Sequence, residues 1–151
     1  MKKLSIIITC YNEEKTVSTA LDMVLAAPLS ISKELIIIND GSTDNSAKEI
    51  KNWIELHSNN CEIKYFEKAN GGKGSAVRMG IENSTGDIVI IQDADCEYDP
   101  CDYEKCIQPI LDGESQVVYG SRERNIRNRT QSSWFFYLGG LSVSLLFNLL
   151  Y

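Results

Sequence analysis

Apolar residues in this chain occur in short unbroken runs, separated by longer stretches whose apolar positions recur at helical spacing. Residues 4–9 and 35–38 are dominated by isoleucine with no polar alternation, the pattern of parallel strands covered on both faces. Residues 62–66, 87–92 and 116–119 read as three further strands, the last a short one. Helices are expected over residues 14–26, 46–57, 74–83 and 103–111. Asp44 or Asn45 can cap the second of these, and Ser84-Thr85-Gly86-Asp87 makes a tight turn into the fourth strand. Strands alternating with helices predict an α/β fold, a mainly parallel Rossmann-like sheet flanked by helices.

Composition narrows this further. At 151 residues, 43% hydrophobic and 24% charged, the chain has the makings of one core and none of the bias of disordered, collagenous or coiled-coil sequences. A net charge of −6 argues against nucleic acid as a partner, so any bound anion must be held locally. The five cysteines (Cys10, Cys61, Cys96, Cys101, Cys106) fit neither a paired framework nor a zinc site, with His57 the only histidine; they read as reduced thiols of a cytoplasmic protein. The start imitates a signal peptide, but its apolar run is short and meets Asn12-Glu13-Glu14 at once. Arg122, Arg124, Arg127 and Arg129 make a local basic segment, after which no charged residue appears through Tyr151. The expected organisation is a domain over residues 1–129 and an apolar helical segment over 130–151, in a chain cut from a longer protein.

In open α/β sheets, ligands lie beyond the carboxyl ends of the strands, and the polar residues of this sequence gather there. The first strand runs into Thr9-Cys10-Tyr11-Asn12-Glu13, the second into Asn39-Asp40-Gly41-Ser42-Thr43-Asp44, and the fourth into Asp93-Ala94-Asp95-Cys96-Glu97. Two readings fit Asp93-Ala94-Asp95: a solvated turn with capping carboxylates, or a site where one carboxylate meets a hard cation and the other a sugar or ribose hydroxyl. Its place after the apolar run 88–91, read as a buried central strand, favours the second, because clustered like charges call for a compensating cation. Glu97 could supply another ligand. Asp40 fits a tight turn, a carboxylate accepting from a base N–H, or both. Asn70-Gly71-Gly72-Lys73-Gly74 lacks the spacing of a nucleotide-triphosphate loop and reads as a flexible turn into a helix.

In their order these segments resemble family 2 glycosyltransferases of the GT-A fold, and within them the branch of dolichyl-phosphate mannose synthase and bacterial polyprenyl-phosphate glycosyltransferases. The resemblance is carried by residues 5–14, 38–44, 70–80, 86–100 and Val118-Tyr119-Gly120-Ser121-Arg122, and spans nearly all of residues 4–150. It implies that Thr9, Tyr11 and Glu13 line a nucleoside pocket with Ile38 and Asp40 beside base and ribose. It further implies that Asp93, Ala94 and Asp95 meet ribose, diphosphate and Mg²⁺ or Mn²⁺, that Glu97 stands at a metal-ligand position, and that Arg122 grips phosphate. Asp95 and Arg122 would then be the catalytic pair. Thr9 stands where the family commonly has Pro, and Asn39 where it has the first Asp of Asp-Asp-Gly-Ser.

The expected reaction is transfer of a sugar, with inversion, from a UDP- or GDP-sugar donor to a polyprenyl (dolichyl or undecaprenyl) phosphate at the cytoplasmic membrane face. A departing nucleoside diphosphate needs a cation and a guanidinium as electrostatic partners. A saccharide hydroxyl would also need a general base, and no acceptor-base motif of the family type is present. Transfer to a saccharide hydroxyl and donor binding without turnover are the two alternatives. Arginines next to Trp134, Phe135, Phe136 and Tyr137 suit an anionic membrane surface, so residues 134–151 read as an interfacial helix, with a core helix as the alternative.

Overall fold

The computed structural model describes residues 2–120. Four strands, β1 (Lys3–Cys10), β2 (Ser32–Asn39), β3 (Glu62–Glu67) and β4 (Ile88–Asp93), form one parallel sheet in the order β3-β2-β1-β4. Between and after them lie α1 (Val17–Ala26), α2 (Ser46–His57), α3 (Lys73–Glu82) and α4 (Tyr103–Leu111), the last preceded by a 3₁₀ turn at Pro100–Asp102. Residues 1–118 form one compact unit.

The isoleucine runs behave as their pattern predicts. Leu4, Ile6, Ile7 and Ile8 of β1 and Leu35 to Ile38 of β2 are all fully buried, because both faces of the sheet are covered. On one face Leu4, Ile6, Ile8, Leu35 and Ile37 pack with Val17, Leu21 and Val24 of α1, Ile50 and Trp53 of α2, and Tyr103 and Ile107 of α4. The burial of Val17, Ala20, Leu21 and Val24 follows the helical repeat of an apolar stripe. On the other face Ile7, Ile36 and Ile38 pack against Ala76 of α3.

α3 approaches β1 so closely that a Cβ on Gly80 would stand 2.4 Å from Ile7 Cγ2. At the amino-terminal end of the sheet, the fully buried Glu34 accepts from Ser5 Oγ (2.6 Å), Lys64 Nζ (2.8 Å) and the Thr85 amide (2.6 Å), with Lys3 Nζ 3.2 Å away. Burial pushes the Glu34 carboxyl up, and the lysine, hydroxyl and amide donors more than reverse this, holding it well below the usual carboxylate range.

Two sequence expectations are corrected here. β4 is an edge strand in the described sheet, not a buried central one. Val89 and Ile91 are 38% and 46% exposed, because their partners in register are Ser5 and Ile7 and α3 lies over β1 and β2 on that face. Residues 116–119 form no strand. Val117 and Tyr119 are exposed, and a four-residue run with no ladder partner cannot satisfy its backbone groups as a strand does.

Two stability predictions follow from this packing. An interior helix Gly→Ala change ordinarily gains about 1 kcal/mol, but overpacking a filled core costs about 1–3 kcal/mol, so Gly80→Ala is expected to lower the urea midpoint. Glu34→Gln is expected to cost about 3 kcal/mol at pH 7 by leaving two lysines without their buried partner. Because the folded Glu34 value lies below the ordinary 4.5, its stabilisation is present above pH 4.5 and lost as pH falls. The gap between wild type and variant, measured by urea denaturation, should therefore shrink on acidification below that pH.

Candidate functional site

Because β1 pairs with both β2 and β4, Thr9 stands opposite Ile38 on one side and Asp93 on the other. The register brings three strand ends level, and an open cleft of about 450 Å³ lies beyond them. Its walls come from Thr9, Cys10, Tyr11 and Glu13 at and after the end of β1, Asp40 after β2, and Asp93, Ala94 and Asp95 at and after β4. Asn70 and Gly72 before α3, with Lys73 and Ala76 of its first turn, close the remaining side.

Polar side chains fix the loops around it. Asn12 adopts a left-handed backbone (φ 56°), a conformation asparagine tolerates better than most residues. Its side-chain oxygen accepts from the Thr43 amide at 2.8 Å, while its own amide donates to Ser42 Oγ at 3.0 Å. Asp44, one residue before the Asn45 N-cap of α2, accepts from the Ser46 amide (2.9 Å) and hydroxyl, and also takes the Glu14 amide at 3.1 Å. The loops after β1 and β2 are thereby tied together. After β4, Cys96 is also left-handed (φ 62°) and its thiol reaches the Thr16 carbonyl. Tyr103 of α4 donates to Gln92 Oε1 at 2.6 Å, anchoring the end of β4 from beneath.

The charges inside the cleft are paired unequally. Asp40, 3% exposed, accepts from Lys68 Nζ at 2.5 Å and from the Gly71 amide at 3.1 Å. Burial raises its carboxyl, and these donors overcome that and hold it below the usual range. Gly41 permits this closure: its φ is +71°, and a Cβ there would meet the Asn70 amide nitrogen at 2.6 Å. Asp93 accepts from Lys73 Nζ at 2.6 Å and from Thr9 Oγ1 at 3.3 Å. Asp95 accepts the Glu97 amide at 3.0 Å and makes no ion pair among the described residues. Cys10 is nearly fully buried, and burial pushes its thiol up, which keeps it neutral.

Of the residues the sequence singled out, Thr9, Tyr11, Glu13, Asp40, Asp93, Ala94 and Asp95 meet in this cleft. Ile38 does not. It is fully buried in the core beneath, packed with Ala76, because its side chain points to the α3 face of the sheet. Glu97 is exposed and outside the lining, and Arg122 lies outside the described residues. Among the described residues no group of three or more His, Cys, Asp or Glu side chains is placed to hold a metal ion.

The sequence reading missed Lys68 and Lys73. Lys73 sits in the segment read as a simple turn into a helix, and it is that turn and a cleft wall at once. Lys68 carries no motif; only the pairing of β3 with β2, which makes the Lys68 amide donate to the Asn39 carbonyl at 3.1 Å, brings it to Asp40.

The sequence matches the Glycosyl transferase family 2 description over residues 5–141. The chain belongs to glycosyl transferase family 2. This family 2 chain is 32% identical over 137 residues to an undecaprenyl-phosphate 4-deoxy-4-formamido-L-arabinose transferase of Proteus mirabilis, an alignment covering 89% of the chain and 40% of the relative. The enzyme of the same description from Aeromonas hydrophila gives the same identity and coverage. The chain thus spans about two fifths of the length of these curated relatives. Among solved structures it is similar to the Pyrobaculum calidifontis mannosyltransferase PcManGT in complex with GDP-Man and Mn²⁺, with TM-score 0.60 and 26% identity, covering 67% of this chain and 30% of that one. It is also similar in fold to S. aureus TarS 1-349 in complex with UDP, with TM-score 0.64 and 23% identity over 86% of this chain and 38% of that one. The parallel sheet flanked by helices is the GT-A arrangement that the family 2 resemblance implied.

The loop ties of the family 2 cleft are testable. Asp44→Ala removes the acceptor of the Ser46 and Glu14 amides, so it should cost about 1–2 kcal/mol in urea denaturation.

Proposed function

We propose that the chain is the donor-binding catalytic domain, over residues 1–129, of a glycosyltransferase that moves a sugar from a UDP- or GDP-sugar to a polyprenyl phosphate, with inversion. The observation that carries this is the meeting of Asp40, Asp93 and Asp95 in one open cleft, with the first two matched by lysines and the third by none among the described residues. A carboxylate left over beside a space of this size suits a ligand that brings both a cation and phosphates.

In this reading Thr9, Tyr11, Glu13 and Asp40 hold the nucleoside. Tyr11, 49% exposed, offers a ring face at the rim, and Asp40 offers an acceptor to the base. Ile38 supports them from the core instead of touching the ligand. Asp93, with Ala94 beside it, meets the ribose and diphosphate side. Asp95 fits a divalent cation, since Mg²⁺ and Mn²⁺ take hard oxygen ligands and fill most of their shell with water and substrate phosphates. Glu97 is a further ligand if its exposed side chain turns to the cleft. When bound, such a cation neutralises charge on the leaving diphosphate. Arg122 adds a guanidinium fork to the same phosphates. A phosphate acceptor is already anionic at neutral pH, so the domain need not supply a base to deprotonate it. Among the described residues no helix is long and apolar enough to cross a membrane, and the reading places the protein at the cytoplasmic membrane face, with residues 130–151 an interfacial helix. The naming of its relatives for undecaprenyl phosphate supports the lipid acceptor.

The test is a thermal-shift panel of UDP, GDP, UDP-glucose, UDP-GlcNAc and GDP-mannose, each with Mn²⁺ and with EDTA. A ligand confined to the native state adds about 2.7 kcal/mol at a hundred times its Kd. Asp95→Ala is expected to abolish the EDTA-sensitive shift while leaving the ligand-free melting temperature in place. A shift for the variant equal to that of wild type would overturn the metal assignment. Transfer of radiolabelled sugar into organic-extractable lipid, and not into a water-soluble glycan, is the expected outcome of the acceptor assay.

A further inference from the structure

The two oxygens of Asp40 are not equivalent. Lys68 Nζ and the Gly71 amide both donate to Oδ1, at 2.5 and 3.1 Å. A carboxylate oxygen has about two lone-pair sites, so Oδ1 is filled. The Gly72 amide also faces the carboxyl and draws it down, and no side chain among the described residues pairs with Oδ2. Among the described residues no fully buried side-chain oxygen lacks a partner, so Oδ2 is not sealed from solvent, and Asp40 lines the cleft. Lys68 is held in place, since it also donates to the Ala69 carbonyl at 2.6 Å and its side chain is only 17% exposed. It does not itself line the cleft.

A carboxylate with both oxygens free can take two parallel N–H donors, as a fork does. Guanine offers such a pair, its ring N1–H and its 2-amino group side by side. Uracil offers one ring N–H between two carbonyls. With Oδ1 occupied, guanine would leave one donor facing a filled acceptor, whereas the single uracil N–H is fully met by Oδ2. A donor left unpaired in a site of this kind costs about tenfold or more in affinity.

We propose that Lys68 is a positioning residue for base selection: by filling Oδ1 it makes Asp40 a single-acceptor site, so that the cleft takes a nucleoside diphosphate with a uracil-type edge in preference to guanine. This rests on the reading of the cleft as a nucleotide-donor site, and it assigns that site a choice between bases.

The experiment is titration of the chain with UDP and with GDP in Mn²⁺, followed by the same titrations of Lys68→Met and Lys68→Arg, with far-UV circular dichroism as the check of folding. Wild type is expected to bind UDP at least about tenfold more tightly than GDP. Lys68→Met is expected to bring the ratio towards one, and Lys68→Arg, which still donates to Oδ1, to keep it. A lysine that merely stabilised the loop would weaken both nucleotides by the same factor, and a ratio unchanged in Lys68→Met overturns the proposal. Equal binding of the two by wild type, or tighter GDP, overturns it as well and leaves the donor reading standing. Binding of neither by folded wild type overturns the donor reading and the base selection together. The wild-type ratio needs no substitution, so the proposal can fail even where Lys68→Met does not fold.

Discussion

Everything in this domain depends on β1 being paired in parallel on both sides. That double ladder sets Thr9 level with Ile38 and with Asp93, and Cys10 level with Asn39. A one-residue slip would turn every side chain of β1 to the opposite face, moving Ile6 and Ile8 out from under α1 and Thr9 away from Asp93. The slip is opposed by two cores at once, because β1 is buried on both faces. The alignment of polar strand ends is therefore held by apolar packing below them.

Charge is distributed differently at the two ends of the sheet. At the amino-terminal end, Glu34 is buried and surrounded by donors from β1, β3 and the turn before β4, which closes the account of its charge and ties three strands together. At the carboxyl-terminal end the account is left open. Asp40 and Asp93 have their lysines, Asp95 has none among the described residues, and the space beside them is open. The same kind of ion pair is a brace in one place and, in the other, lies at the wall of an open cleft.

Much of this was legible in the chain itself. Isoleucine runs located β1 and β2, helical spacing located α1 to α4 to within a few residues, and the polar clusters marked the strand ends that meet in the cleft. The misreadings have a common cause. Ile88-Val89-Ile90-Ile91 looks like a central strand, but local pattern cannot tell a buried run from one whose face is left uncovered by α3. Residues 116–119 have strand composition and no partner among the described residues, and composition does not supply a ladder. Ile38 is two residues before the cleft-lining Asp40, yet its side chain lies in the core against Ala76.

By itself the sequence determined the class of fold, the family and the identity of the carboxylates at the site, because hydrophobic period and motif order are local properties that survive without coordinates. Which carboxylate is neutralised, and by what, was decided only in three dimensions. Lys68 and Asp40 are separated by α2 and β3, and Lys73 and Asp93 by α3, so no spacing rule links them. A parallel sheet joins strands through long crossovers, and it is this geometry that carries Lys68 to Asp40 and Lys73 to Asp93.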